Sequence, residues 1–320
     1  MTLIEQPTLS EFPPGTMPLP PQSQAQPPHQ VPPQNHVPPH NLVAPKNHQP
    51  KPKRGWRFWV GFLMLVGGVG LGGLWWWNTF GTTIFLRGAL EAEVQEFTQE
   101  YLQGSEEIVD PEVLIRDFTA NPPPELQIGA TGTALGILTI PSWQGELGVQ
   151  GEVLRNRILL REGGATMAET NQVLNTGAAA HYPETAGPGQ IGNFAISAHR
   201  RSYGDSFLHL PDLTVDDWVL LETPETWFIY RVIDDGTIVL PTDTFVLNPD
   251  PFSPVGADGL QTPTRRLITM TTCSTASGGP WGNSHRYIVH GELYAWMPRS
   301  AGVPPMVDHY WVEDDAALSS

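Results

Sequence analysis

The chain has 320 residues, a formal charge of −16 at neutral pH, 33 prolines, 32 glycines and one cysteine. That length accommodates one or two domains, and the acidic balance argues against binding nucleic acid through its phosphates. A single thiol excludes an intrachain disulfide and any multi-cysteine metal site.

Residues 1–55 are low in complexity, with Pro13-Pro14, Pro27-Pro28, Pro32-Pro33 and Pro38-Pro39 set among Gln, Asn and the histidines His29, His36, His40 and His48. Such a stretch buries too little apolar surface to offset its ordering entropy, so a disordered, partly polyproline II arm is expected. Residues 56–80 read as a transmembrane helix. From Phe58 to Trp77 there is no charge, and as a helix this run would span roughly 30 Å, the thickness of a bilayer core. Trp56, Trp59 and Trp75 to Trp77 supply an aromatic belt at each end. Lys46, Lys51, Lys53, Arg54 and Arg57 precede the span, and the next basic residue is Arg87. The positive-inside rule therefore places the arm in the cytoplasm and everything after about Asn78 outside, a single-pass membrane protein.

Residues 81–125 read as a juxtamembrane helix and linker. Leu86, Leu90, Val94, Phe97 and Tyr101 recur at helical spacing, with Glu91, Glu93, Glu96 and Glu100 on the other face, and Asn121-Pro-Pro-Pro124 then breaks the chain. Residues 126–298 form the expected folded domain, and 299–320 a C-terminal tail. Within the domain, short β-type runs alternate with Gly/Pro turns: Leu135 to Ile140, Arg157 to Leu160, Asn193 to Ala198, Trp218 to Leu221, Trp227 to Ile233, Thr237 to Leu240, Leu267 to Thr272 and Arg286 to Tyr294. This spacing indicates an all-β domain, an eight-stranded barrel or sandwich, with short helical pieces near 165–175 and 207–213.

Cys273 ends the Ile/Thr-rich run that opens at Leu267, and a Gly/Ser/Pro-rich loop leads on to Arg286. A lone cysteine packs as a small hydrophobe in many proteins. In an exported domain, however, an unpaired thiol invites oxidation, and retaining one suggests a use for it. A nucleophilic thiol needs a base or ion-pair partner, because a free thiol with a pKa of about 8.5 is mostly protonated at neutral pH. The candidates are His181, His199, His209, His285 and His290. His199 stands out because it ends the run Asn193 to Ala198 and opens a polar turn, Arg200 to Asp205. His181 reads as a loop residue, His209 as part of a helical turn, His285 as a neighbour of Arg286, and His290 as a packed strand residue.

Ala198-His199-Arg200 with Tyr203-Gly204 and Phe207, then Thr269-Met-Thr-Thr-Cys273, then Arg286 after a loop, resembles the sortases, membrane-anchored cysteine transpeptidases. The family's T-L-x-T-C motif has Met270 in place of Leu, and its Gly-His is Ala198-His199. His181 to Gln190, with Gly192-Asn193, is similar to the segment before the histidine in class E sortases, and Leu135 to Pro141 to their first strand. The resemblance covers roughly residues 126–296 and implies a sortase-type β-barrel behind one transmembrane helix. It implies Cys273 as nucleophile, His199 as general acid and base, and Arg286 as stabiliser of the oxyanion or holder of a substrate carbonyl. Thr271, Thr272, Tyr182 and Trp281 become candidate substrate contacts. The expected partners are proteins bearing an LPxTG-like or LAxTG-like sorting signal and an amine acceptor of the cell envelope. No cofactor is required, and Asp216-Asp217 and Asp234-Asp235 read as solvated turn charges and not as a calcium site. Two other functions keep the same residues: a degenerate sortase-like module that only binds peptide, and a peptidase that completes the reaction with water.

Overall fold

The computed structural model describes residues 55–102, 104–144, 156–256, 259 and 261–308. The proline-rich arm and the far end of the C-terminal tail lie outside the described residues. Helix α1 (Trp56–Trp76) buries none of its side chains. It passes through a π-helical segment, Trp77–Gly81, directly into α2 (Thr82–Tyr101). Gly81 is required there, because a Cβ would lie 2.6 Å from the Trp77 ring. This continuous helix, Trp56–Tyr101, is long and apolar enough to cross a membrane. The second half of this helix is docked as well as helical: Leu90, Val94 and Phe97 are buried, and Val94 and Phe97 pack with Ile137 and Leu159 of the barrel and with Ala178 just before β3.

The barrel contains β1 (Ala134–Thr139), β2 (Arg157–Glu162), β3 (Ala179–His181), β4 (Gly192–Ser197), β5 (Trp218–Glu222), β6 (Thr226–Val232), β8 (Arg266–Ser274) and β9 (His285–Pro298). The strands run in the order β6-β5-β1-β2-β3-β4-β8-β9, and a β6–β9 pairing closes the ring. The count of eight agrees with the sequence, but the membership differs by one strand. β3 reads as loop in the sequence because Ala-Ala-His, between Gly177 and Pro183, lacks the β-branched signature. Conversely β7 (Thr237–Val239) lies outside the ring, paired only to the first part of β9. β4 and β8 are parallel and β8 and β9 antiparallel, so three strand ends converge on one rim. A short helix α3 (Met167–Leu174), with a Thr166/Glu169 capping box, packs beside β3 through Val173, Leu174 and Ala180.

Ile196 of β4, Met270 of β8 and Val289 of β9 point into the main core. Alternation therefore sends Ser197, Thr271, Cys273, Arg286 and Ile288 to the outer face. A second core on the far side joins Leu114, Trp227, Met297, Val303 and Met306, so both the linker and the first part of the tail are packed onto the barrel. Arg299 clamps these pieces. It is 2% exposed and donates to Glu222 Oε1 at 2.6 Å, Glu106 Oε1 at 3.0 Å and the carbonyls of Leu102 and Ser105. Breaking a buried ion pair by removing one partner costs about 3–5 kcal/mol. Arg299→Met should fall near the low end, because Arg157 stays 3.5 Å from Glu222. Thermal unfolding is the check, and the double change with Glu222→Gln should recover part of the loss.

Candidate active site

The last registered pair between β4 and β8 is Ser197 with Thr271. Two positions further along each strand stand His199 and Cys273, so both fall at one level of neighbouring strands. The Ala198 N–H donates to the Thr271 carbonyl at 3.3 Å, and the Thr272 hydroxyl donates to the Ala198 carbonyl at 2.8 Å, which holds the two ends together. On the other side of β8, Cys273 is the direct cross-strand partner of Arg286. Side chains in such a pair share a face with Cβ atoms about 4.5–5.5 Å apart. The backbone register alone thus gathers a thiol, an imidazole and a guanidinium at one rim.

His199 is partly buried, stacks on the Tyr203 ring at 5.2 Å and 27°, and donates through Nε2 to Asn175 Oδ1 at 2.9 Å. Burial pushes its pKa below the ordinary 6.5. With Nε2 carrying the proton for Asn175, the neutral ring keeps its lone pair on Nδ1. Cys273 is partly exposed and forms no disulfide. Arg286 donates through Nη1 to the carbonyls of Asn283 and His285, both at 2.9 Å, an arrangement that aligns the guanidinium along its own loop. Tyr182 lies within electrostatic reach of Arg286 and Cys273, and burial is the main cause that raises its phenol pKa.

Of the other candidate contacts, Thr271 is buried on the outer face between Ser197 and Ile288. Thr272 is committed to the Ala198 carbonyl and serves the rim's geometry. Trp281 is 55% exposed, but its ring meets the Arg201 guanidinium at 4.3 Å and Phe80 at 5.7 Å. The remaining candidate histidines have other partners, His285 one register step from the Cys273–Arg286 pair. His181, a strand residue and not a loop residue, is buried with Nδ1 2.7 Å from Glu162. His209 pairs with Asp212 at 2.6 Å, His285 lies 3.0 Å from Ser284 Oγ, and His290 Nδ1 lies 2.6 Å from Asp234.

Three residues beside the site have roles that the sequence does not disclose, although Arg200 and Tyr203 belong to its histidine motif. Asn175 ends α3 and reaches His199 from a distant segment. Tyr203 supplies the stacking ring. Arg200 reads as part of a polar turn, yet it is 6% exposed and donates through Nη1 to Gly278 O at 2.9 Å, Gly279 O at 3.3 Å and Ser274 Oγ at 3.3 Å. With the Gly279 N–H on Thr275 Oγ1 at 2.9 Å, these bonds tie down the start of the loop between β8 and β9, where glycine content alone suggests mobility. Of the acidic turns, Asp216 is solvent-exposed and pairs with Arg231 at 2.9 Å, whereas Asp234 is more enclosed and pairs with His290. Burial would raise the Asp234 pKa, but its bonds from the His290 side chain and backbone outweigh that and hold it below the usual carboxylate value. Among the described residues no group of three or more His, Cys, Asp or Glu is placed to hold a metal ion.

A family model described as "Sortase domain" matches residues 138–294. A solved structure, the SrtA sortase from Actinomyces oris, is 34% identical, with the alignment covering 61% of this chain and 96% of that chain at a TM-score of 0.50. Sortase SrtE1 of Streptomyces coelicolor is 31% identical over 42% of this chain and 37% of its own length. Sortase SrtE2 of the same organism is 26% identical over 51% of this chain and 57% of its own. The chain therefore spans about a third to somewhat over half the length of these two curated relatives.

Proposed function

The chain belongs to the sortase family, on its class E-like side, and from that premise we propose that it is a membrane-anchored cysteine transpeptidase in which Cys273, His199 and Arg286 carry the chemistry. The observation that supports this most is the shared register of the three residues across β4, β8 and β9. The substrate is a sorting signal of LPxTG or LAxTG type, cleaved between Thr and Gly. His199, held neutral by burial, takes the Cys273 proton as the sulfur attacks the Thr carbonyl carbon. The C–S bond forms while the carbonyl oxygen takes up negative charge. Arg286 stabilises that oxyanion with the N–H donors beyond Nη1, a role suited to its permanent charge. The oxyanion collapses, the C–N bond breaks, and the His199 imidazolium returns its proton to the leaving glycine amine. In the second half an envelope amine attacks the thioester, gives its proton to His199 and expels the Cys273 sulfur, which takes that proton back from the imidazolium as the new amide is completed.

The span anchors this domain with its N-terminus in the cytoplasm, and the basic residues before Phe58 support that orientation. None of these steps needs a cofactor. The test is incubation of the purified chain with an LPxTG/LAxTG peptide library, with and without an amine acceptor, followed by mass analysis. Ligated product supports transpeptidation. Cleaved peptide without ligation points to a hydrolytic cysteine peptidase, and unchanged peptide with measurable binding points to a peptide-binding module.

A further inference from the structure

The turn that follows His199 is held in an unfavourable conformation. Ser202, Tyr203, Gly204 and Asp205 all have positive φ, at 68°, 50°, 99° and 53°. Only glycine adopts that region at no steric cost, so the three side-chain-bearing residues persist there only because outside contacts hold them. Those contacts come from the helix that continues the membrane span. The Tyr203 N–H donates to Thr82 Oγ1 at 3.1 Å, and the Gly204 N–H to Thr83 Oγ1 at 3.3 Å. The Thr83 hydroxyl in turn donates to Asp205 Oδ1 at 3.1 Å. Thr83 is 6% exposed, so its hydroxyl has little access to water as an alternative partner.

The opposite side of the turn is fixed too. The Ser206 hydroxyl donates to the Gly177 carbonyl at 2.6 Å, and the Phe207 N–H to the His199 carbonyl at 3.0 Å. A Cβ at Gly177 would lie 2.6 Å from both the Tyr203 carbonyl and Leu90 of α2, so turn, helix and the segment after α3 are in close contact. The residue whose backbone Thr82 holds is Tyr203, and the Tyr203 ring is the one stacked on His199. Thr82 therefore acts two contacts away from the imidazole, and Thr83, bonded to Gly204 and Asp205, holds the next two residues of the same turn without touching a reacting atom.

We propose that Thr83, with its acceptor Asp205, is a positioning pair for His199, which makes the first turn of α2 a working part of the site. The inference rests on the reading of His199 as acid and base. Burial raises the Asp205 pKa, opposed by the bond from Thr83 and the charges of Arg201 and Arg87, which fits a carboxylate that depends on that hydroxyl.

The experiment uses the full chain in detergent micelles and compares wild type, Thr83→Val and Thr83→Ser. Valine keeps the shape and removes the hydroxyl, whereas serine keeps the hydroxyl. The readouts are kcat and KM for a sorting-signal peptide, the pH profile of Cys273 alkylation by iodoacetamide, and the thermal transition. Expected for Thr83→Val are a kcat lowered about tenfold with KM within about twofold, an alkylation profile displaced from wild type, and a thermal transition lowered by several degrees but still well above the assay temperature, because two partners lose a buried hydroxyl. Thr83→Ser should restore both kinetic readouts. Wild-type kcat and alkylation in Thr83→Val would overturn the proposal, as would a loss that serine fails to restore or one that disappears when the variant is assayed well below its thermal transition. If the wild-type chain turns over no peptide, the transpeptidase reading is what fails. The alkylation profiles then decide alone: displaced in valine and restored in serine supports the positioning pair, and superimposable profiles refute it.

Discussion

Replacing Cys273 with alanine should reduce transpeptidation and hydrolysis of a sorting-signal peptide to background while leaving the fold intact. On the proposed mechanism the Cys273 thiol forms the acyl bond, and the chain has no second cysteine to take its place. The structural cost is small because Cys273 is partly exposed at the end of β8. A substitution at such a site that breaks no buried network usually changes stability by no more than about 0.5 kcal/mol. The neighbouring anchors, Thr272 on Ala198 and Ser274 beside Arg200, are untouched. Circular dichroism and the thermal transition should therefore match wild type in a preparation whose turnover is lost. Appreciable product from a well-folded Cys273→Ala protein would show that another group performs the attack.

The second large effect concerns His199 and carries a sign. Burial disfavours the imidazolium and pushes the pKa below 6.5, so the ring is neutral, and competent as a base, down to a pH lower than that of a free histidine. As pH falls through this lowered pKa the base becomes protonated and kcat/KM declines. The acid limb of the profile should therefore lie below pH 6.5. His199→Asn should lower kcat/KM by about 10²–10⁴, the usual worth of a positioned acid–base group, and should erase that limb. A limb that survives the substitution unchanged would assign the titration elsewhere.

Much of the candidate site is legible in the sequence because Cys273, His199 and Arg286 lie at the ends of strands whose local pattern is strong. Leu267 to Thr272 is rich in β-branched residues, and the Gly/Ser-rich loop after Cys273 marks where the strand ends. The uncharged run from Phe58 to Trp77 marks the span in the same direct way, since charge in a bilayer core is costly. What the sequence conceals is what depends on long-range partners. Ala179 to His181 forms a barrel strand only because β2 and β4 flank it. The apolar stripe Leu90, Val94 and Phe97 announces an amphipathic helix without saying that the barrel covers it. Arg200 lies in a polar turn by composition, and its burial follows from carbonyls almost eighty residues later. The same holds for Asn175, whose side chain serves His199 from the end of α3, and for the left-handed run Ser202 to Asp205, in which only Gly204 advertises its conformation.

The loop between β8 and β9 is held at its start, middle and end by different side chains. Arg200 and Thr275 secure the start of the loop, Trp281 is clamped between Arg201 and Phe80, and Arg286 fixes its end by bonding back to Asn283. Two of these anchors, Arg200 and Arg201, follow His199 directly in the chain. The histidine turn and the loop after the cysteine are thus parts of one packed unit, and the helical stretch Phe80 to Thr83, after the apolar run, touches both.

The most direct measurement traps the acyl intermediate and locates it. The chain is mixed with a sorting-signal peptide in the absence of an amine acceptor, quenched in acid, digested and mapped by tandem mass spectrometry. The result expected is the acyl portion of the peptide, ending at its threonine, attached to the fragment containing Cys273 and released when an amine or hydroxylamine is added. An acyl group on any other residue, or an unmodified Cys273 in a preparation that is cleaving peptide, would contradict the account.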